Sequence, residues 1–332
     1  MNAPFFLTIE DPSRVAESRR IATQVAEQEG MPPDAVSSAA IIASELASNL
    51  WKHAHRGELH IEPLSGRAEA GIEILSVDRG PGISNVAECL EDGHSTAGTA
   101  GTGLGAVRRI SDTFEISSHP GKGTIVLSQL RAKAPALPSS GFIVGLTSRP
   151  VSGEAVSGDA WAIRRTEDSV VIMVADGLGH GVFAADASAA AVAAFNSSHE
   201  QSPVNLLQAI HRALRGTRGA AVAIASVEFR QARVRFAGLG NIAGTVITSS
   251  KSHAMVSHNG TAGYEAPHIR EFLYPWTDES IIVMHSDGLS ANWNPESFPG
   301  IHRNHPSVIG ALLYRDAARE RDDACVVVGK KQ

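Results

Sequence analysis

Two apolar spacings interleave along the first 130 or so residues. Phe5-Phe6-Leu7-Thr8-Ile9 reads as a short strand, and a helix follows over about 13–29, stopped by Gly30 and the Pro32-Pro33 pair. Ile41, Ile42, Leu46, Leu50 and Trp51 recur at three- and four-residue intervals and predict a second helix to about 53, with Asp34 as its cap. Period-two alternation then marks strands at 59–62 and 71–77, the second ending on Asp78-Arg79-Gly80-Pro81-Gly82. A glycine-rich stretch, a short helix after Gly105 and closing strands near 113–118 and 124–130 complete this half.

The second half is denser in continuous apolar runs. They predict strands over 170–174, 220–227, 234–237, 243–248 and 281–284, with helices near 181–197, 203–215 and 306–319. Consecutive strands with paired helices argue for an α+β layered sandwich rather than alternating βαβ units. Between the halves, two prolines and a Ser/Gly cluster at 131–141 place a domain boundary near 134, giving domains 1–134 and 135–332.

Length agrees with two cores, since 332 residues is about twice the ~150 of a typical domain. The 35 acidic and 29 basic residues leave a net charge of −6, which argues against a polybasic nucleic-acid or membrane-surface binder. To residue 134 there are 12 basic and 17 acidic residues, so the acid excess lies in the first half. Two distant cysteines, Cys89 and Cys325, suggest neither a disulfide framework nor a zinc site. No basic leader and no apolar run of bilayer length is evident, so the expected compartment is the cytoplasm.

Three features of the first half carry candidate chemistry. Glu45 and Asn49 stand four residues apart on one helix face, where a hard oxygen ligand for magnesium and a carboxylate base can reach one ligand; a solvated helix face is the plainer reading. Asp78 ends a strand before Gly80 and Gly82, placing a hydrogen-bond acceptor where a ring can approach the backbone, although Asp, Pro and Gly also make an ordinary turn. The run 93–105 holds five glycines before a helix and offers amides to phosphate oxygens, or is simply a surface loop. It lacks the Gly-Lys-Ser/Thr ending of a P-loop.

Taken in order, Glu-x-x-x-Asn on a helix, Asp-x-Gly-x-Gly after a strand, a glycine lid and Gly121-Lys122-Gly123-Thr124 on a hairpin resemble the GHKL ATPases of the Bergerat fold. Residues 102–118 look most like the RsbT-type serine kinases of bacterial sigma-factor switches. The resemblance implies Glu45 as catalytic base, Asn49 as magnesium ligand, Asp78 as adenine contact, and Gly80, Gly82, Gly101, Gly103, Gly105 and Thr124 around ATP. His53 and His55 follow the Glu-Asn helix rather than lying on a preceding hairpin, which disfavours a histidine-kinase reading.

Acidic residues in the second half sit at or beside strand ends: Asp159, Asp176-Gly177, Asp287-Gly288 and Asp322-Asp323. Each Asp-Gly alone is also a turn pair. Gathered on one sheet edge, such carboxylates repel unless divalent cations neutralise them, and an all-oxygen set favours magnesium or manganese. Two such ions activate water for phosphoryl hydrolysis with no covalent nucleophile. His180 reads as a loop histidine.

This half resembles the SpoIIE-type metal-dependent protein phosphatases, related to type 2C. Arg215-Gly216-Thr217-Arg218-Gly219-Ala220-Ala221 and Gly240-Asn241-Ile242 look RsbX-like. The resemblance implies an αββα fold and assigns Asp159, Asp176, the Gly177 carbonyl and Asp287 to metal, with Asp322 or Asp323 at the last position. Cys325 stands where family members often carry Thr or Ser.

Together the resemblances imply a bifunctional serine/threonine kinase and phosphatase using ATP, Mg2+ and Mn2+. Its expected partners are STAS-domain proteins, in a partner-switching or stressosome-like pathway. A second reading makes residues 1–134 an ATP-responsive module that sequesters a sigma factor or STAS partner. A third makes the second half a pseudophosphatase scaffold.

Overall fold

The computed structural model describes residues 4–54, 57–64, 70–90, 103–132, 141–249, 251–266, 268–298, 300–319 and 321–332. The chain divides into two compact units, Met1–Ala136 and Leu137–Gln332. Each mixes strands and helices, as an α+β chain of two layered sandwiches should.

The N-terminal unit runs β1 (Phe5–Ile9), α1 (Ser13–Gln28), α2 (Pro33–Asn49), β2 (Gly57–Pro63), β3 (Gly71–Asp78), α3 (Val86–Cys89), α4 (Leu104–Ile110), β4 (Thr113–His119) and β5 (Gly123–Arg131). Its sheet is antiparallel in the order β1-β2-β3-β5-β4. Ile21, Val25, Ile42, Leu46, Leu50 and Val107 from the helices close over Leu59, Ile61, Ile72, Ile74 and Val126 from the sheet, so the unit has two layers around one core.

Two details of α2 differ from expectation. The helix begins at Pro33, a residue suited to a first helical position, and Asp34 lies inside the first turn with no side-chain cap bond, where its charge complements the helix dipole instead. The buried stripe is Ile42, Leu46 and Leu50, filled out by Ala39, Ala43 and Ala47, whereas Ile41 is 49% exposed and Trp51 37% exposed. At about 100° per residue Ile41 is carried onto the same face as Glu45, four positions on. Beyond Asn49 the chain widens into a π-helical turn, Leu50–Ala54.

The C-terminal unit runs β6 (Phe142–Arg149), β7 (Asp159–Arg165), β8 (Ser169–Gly177), α5 (Val182–Ser197), α6 (Pro203–Ala213), β9 (Ala220–Glu228), β10 (Arg233–Leu239), β11 (Ala243–Ile247), β12 (Ser252–Met255), β13 (Phe272–Pro275), β14 (Ile281–His285), α7 (Pro306–Ala317) and β15 (Ala324–Lys331). Two five-stranded antiparallel sheets, β13-β10-β9-β8-β7 and β12-β11-β14-β15-β6, face one another. Val170, Ile172, Val174, Phe236, Val246, Met284 and Val327 fill the space between them. Phe195, Leu206, Leu207 and Ile210 of α5 and α6 cover the outer face of the first sheet, and Ile309 and Leu313 of α7 cover that of the second. This is an αββα sandwich. Cys325 belongs to its inter-sheet layer and is fully buried, so an apolar thiol suits the position.

Candidate functional site

In the N-terminal unit, Ile42, Leu46 and Leu50 of α2 are buried, and Glu45 and Asn49, both half-buried, flank that stripe on the side that leads to the exposed Ile41. The end of β3 meets the same region. Gly80 packs against Ala54, one turn past Asn49; a Cβ there would stand 3.1 Å from the Ala54 Cα. The missing side chain thus lets Asp78 approach the end of α2.

The Asp78 carboxylate is fixed in direction. Its Oδ1 accepts hydrogen bonds from the Gly80 amide (2.7 Å) and the Thr124 amide (3.1 Å). The second of these depends on Gly123, which has φ +81° and whose Cβ would lie 2.1 Å from the Asp78 carbonyl oxygen. Gly82, at φ +72°, is similarly pressed on the His119 carbonyl. Thr124 is buried, and its hydroxyl shares a 2.8 Å hydrogen bond with that of Ser118, which in turn accepts from the Ile83 amide (2.8 Å). Gly103 and the buried Gly105 open α4, which packs on α2. Gly101, like most of the glycine run, and His55 lie outside the described residues.

The C-terminal unit gathers its acids by register. Asp159, first in β7, pairs directly with Asp176, near the end of β8. Asp287 follows β14, and Asp322 and Asp323 precede β15, its hydrogen-bonded neighbour. The glycines beside these acids serve close approach. A Cβ on Gly177 would lie 2.1 Å from the Ala184 carbonyl of α5, and one on Gly288 would lie 1.8 Å from the Asp323 carbonyl.

The acids respond to one another. Burial, then the charge of Asp176, pushes the Asp159 carboxyl well above the usual carboxylate range, against an opposing hydrogen bond from Ser286. Burial, then Asp287 and Asp322, raises Asp176 to about 8. Asp322 is raised by burial and by Asp287. The cluster is therefore a set of converging negative charges that the protein itself does not neutralise.

Its hydrogen bonds sort the members. Ser286 Oγ donates to Asp159 Oδ2 (2.6 Å) and accepts from the Cys325 amide (3.0 Å), while Asp159 Oδ1 is buried with no hydrogen-bond partner. Asn241 Nδ2 donates to Asp287 Oδ2 (2.6 Å). Asp323 is spent on the backbone: its two oxygens accept from the Val151 amide (2.7 Å) and the Gly158 amide (2.8 Å), tying down the segment that leads into Asp159. Among the described residues, no three carboxylates, imidazoles or thiols stand ready as a finished metal cage. An orphaned buried oxygen beside raised carboxyls fits a divalent cation.

Sequence reasoning passed over Ser286 and Asn241 as chemical groups, although both sit in the motifs His285-Ser286-Asp287-Gly288 and Gly240-Asn241-Ile242. Short polar residues beside a candidate acid are the signal that would have found them. His180 is on an exposed loop, its Nδ1 2.8 Å from Glu154 Oε1.

Comparison with known proteins agrees with this geometry. Residues 9–129 match the family described as histidine kinase-like ATPase domain, and residues 166–330 match the family described as stage II sporulation protein E (SpoIIE). The serine/threonine-protein kinase RsbT of Bacillus subtilis (strain 168) is 34% identical over 110 residues, covering 33% of this chain and 83% of RsbT. The phosphoserine phosphatase RsbX of the same organism is 22% identical over 139 residues, covering 42% of this chain and 70% of RsbX. A solved structure described as "The bacterial stressosome: a modular system that has been adapted to control secondary messenger signaling" superposes with a TM-score of 0.54 at 32% identity, covering 57% of this chain and 99% of that one. Among the described residues, no helix is long and apolar enough to cross a membrane. The chain belongs to two families joined in one polypeptide, the RsbT-like histidine kinase-like ATPase domains and the SpoIIE domains.

Proposed function

We propose that this protein is a bifunctional switch enzyme, an ATP-dependent protein-serine/threonine kinase joined to a metal-dependent phosphatase, acting on STAS-domain proteins of a partner-switching or stressosome-like pathway. The observation that carries the reading is the chain of interacting acids, Asp159 facing Asp176 and Asp176 raised by Asp287 and Asp322, with one buried Asp159 oxygen left unpartnered.

In the phosphatase reading those four carboxylates and the Gly177 carbonyl would hold Mg2+ or Mn2+. Asp322 is preferred to Asp323 because both Asp323 oxygens already serve backbone amides. When bound, such ions polarise a phosphoryl group and lower the pKa of water. Ser286 and Asn241 orient the Asp159 and Asp287 carboxylates toward the shared space.

In the kinase reading Glu45 takes the proton of the substrate hydroxyl, and Asn49, one helical turn away, holds the magnesium of Mg-ATP. Asp78, pinned by two amides, receives the adenine amino group. Gly80, Gly82, Gly101, Gly103, Gly105 and Thr124 make room for the nucleotide and contact it. The combination of Glu45 with Asn49 supports phosphotransfer, because ATP-responsive binding alone needs no base.

Labelled ATP supplied with candidate STAS proteins tests both halves. The Asp176→Ala protein should accumulate phosphorylated STAS protein, the Glu45→Ala protein should make none, and wild type should turn the phosphate over with manganese. Absence of transfer by Asp176→Ala would leave the N-terminal unit a binding module. Full phosphate release in excess chelator would remove the metal-dependent reading.

A further inference from the structure

Exposed apolar side chains are unevenly placed. Among the described residues nine large apolar side chains are exposed, and five of them, Val156, Leu178, Val182, Phe183 and Tyr264, lie on segments beside the aspartate cluster. Val156 is in the segment that Asp323 ties to Asp159, Leu178 follows Asp176-Gly177, and Val182 and Phe183 open α5.

These segments are joined to one another. Glu154 and His180 make a 2.8 Å contact, and the Leu178 amide donates to the Gly219 carbonyl (3.0 Å). A Cβ on Gly219 would meet the Tyr264 ring at 2.8 Å. Arg218 spans the middle: its guanidinium lies 4.7 Å from the centre of the Phe183 ring and beside Gly179. Phe183 is 64% exposed, so the stack covers neither partner from solvent. Among the described residues, no carboxylate pairs with Arg218, although the unit's acids are concentrated next to this rim. A guanidinium over the face of an exposed aromatic ring keeps its charge and its N–H donors, and with no carboxylate partner among the described residues it can receive an oxyanion.

We infer that this rim, Arg218 stacked on Phe183 with Leu178, Val182, Val156 and Tyr264 around it, docks the polypeptide flanking a phosphorylated residue, with Arg218 receiving an acidic side chain of that flank. The inference rests on the phosphatase reading above and adds what selects a protein over a small phosphate ester. Charge complementarity identifies the occupant. An acidic phosphopolypeptide supplies an anion for Arg218 and side chains for the apolar ring, and an aryl phosphate needs only the aspartate cluster. Exposed apolar surface rimmed by polar groups is the usual character of a protein-contact patch.

The test compares the intact, manganese-loaded protein on p-nitrophenyl phosphate and on phosphorylated casein, whose phosphoserines lie in acidic sequence. Arg218→Ala and Phe183→Ala should lower kcat/KM on casein about ten- to hundredfold, mainly through KM, as expected for a lost charge-assisted contact. On p-nitrophenyl phosphate both should stay within about twofold of wild type. Arg218→Lys should recover part of the casein activity, and Leu273→Ala, an exposed apolar residue elsewhere, should alter neither substrate. Equal losses on both substrates, or none on casein, would overturn the inference. So would wild-type activity on p-nitrophenyl phosphate without any on casein. A dimer dissociated by Phe183→Asp with unchanged casein kinetics would give the surface to a second copy of the chain and likewise overturn it. A wild-type protein inactive on both substrates would overturn the phosphatase reading itself.

Discussion

Asp78 and Asp159 are both carboxylates at strand ends, one in each unit, and their surroundings differ in kind. Asp78 receives two backbone amides on one oxygen, from Gly80 and from Thr124 across the hairpin. Asp159 receives one hydroxyl, keeps an orphaned buried oxygen and faces Asp176 across a strand pair. The first charge is stabilised by fixed protein dipoles, so its site is organised before any ligand arrives. The second is destabilised by its neighbours, a conflict that a cation would relieve in the proposed phosphatase reading. Removing a carboxylate should therefore have opposite structural consequences in the two units.

The largest effect separates the two chemistries. Asp176→Ala should reduce manganese-dependent phosphate release at least about a thousandfold, given the several kcal/mol that metal ions contribute to phosphoryl transfer. ATP binding, followed by fluorescence or calorimetry, should be unchanged. A parallel loss of nucleotide affinity would mean that the two sites are not chemically separate.

Next comes Asp78→Ala, which orphans the Gly80 and Thr124 amides. Nucleotide affinity should fall about ten- to hundredfold, and the N-terminal unit should lose about 1–3 kcal/mol of stability in urea unfolding. Unchanged stability would show that water replaces the carboxylate at no cost, and the comparison with Asp159 would weaken.

How much of this was legible beforehand follows strand position. The central strands β8, β9, β10, β11 and β14 stand out as continuous apolar runs because both faces are covered, one by the other sheet and one by helices. Of the strands absent from that reading, β15 is central, and β6, β7, β12 and β13 are the four edges of this unit's sheets. They carry one ladder each, and β7 mixes Arg164 and Arg165 with half-buried Trp161 and Ile163, which blurs its period. The acids were legible as chemical types, and their convergence only on the condition that their strands share one sheet; it arises instead from the register of β7 against β8 in one sheet and from β14 lying beside β15 in the facing one. The Asp-Gly pairs were readable as turns, while their closer purpose, letting α5 and β15 touch the backbone, appears only in three dimensions. The proposed preference for Asp322 over Asp323 likewise rests on which backbone amides each one meets.

A smaller effect concerns pH in the metal-stripped protein. Asp176 has its folded pKa raised to about 8 by burial and by Asp287, so between about pH 4 and 8 the folded state holds a proton that the unfolded chain has released. Stability of the C-terminal unit should fall as pH rises through that window. The Tm of the metal-free protein should accordingly decline across it. Asp176→Asn should flatten the slope, and saturating manganese, favouring the ionised form, should reverse it. A metal-free Tm that rises across the same window would contradict the picture of uncompensated charge.

The finest test is Ser286→Ala. Ser286 Oγ links the Cys325 amide to Asp159 Oδ2, and its hydrogen bond opposes the rise in the Asp159 pKa that burial and Asp176 impose. Its removal costs about 1 kcal/mol of stability for the bond and lowers manganese affinity about tenfold, as loss of a ligand-orienting group does. The pH dependence discriminates between two roles. If Ser286 acts by keeping Asp159 ionised, the affinity deficit measured by calorimetry shrinks as pH rises, because the carboxyl eventually loses its proton in both proteins. If it acts only by aiming the carboxylate, the deficit is the same at every pH. The charge-driven contrast with Asp78 requires the first result, since a site assembled against repulsion depends on each donor that holds its carboxylates in the charged form.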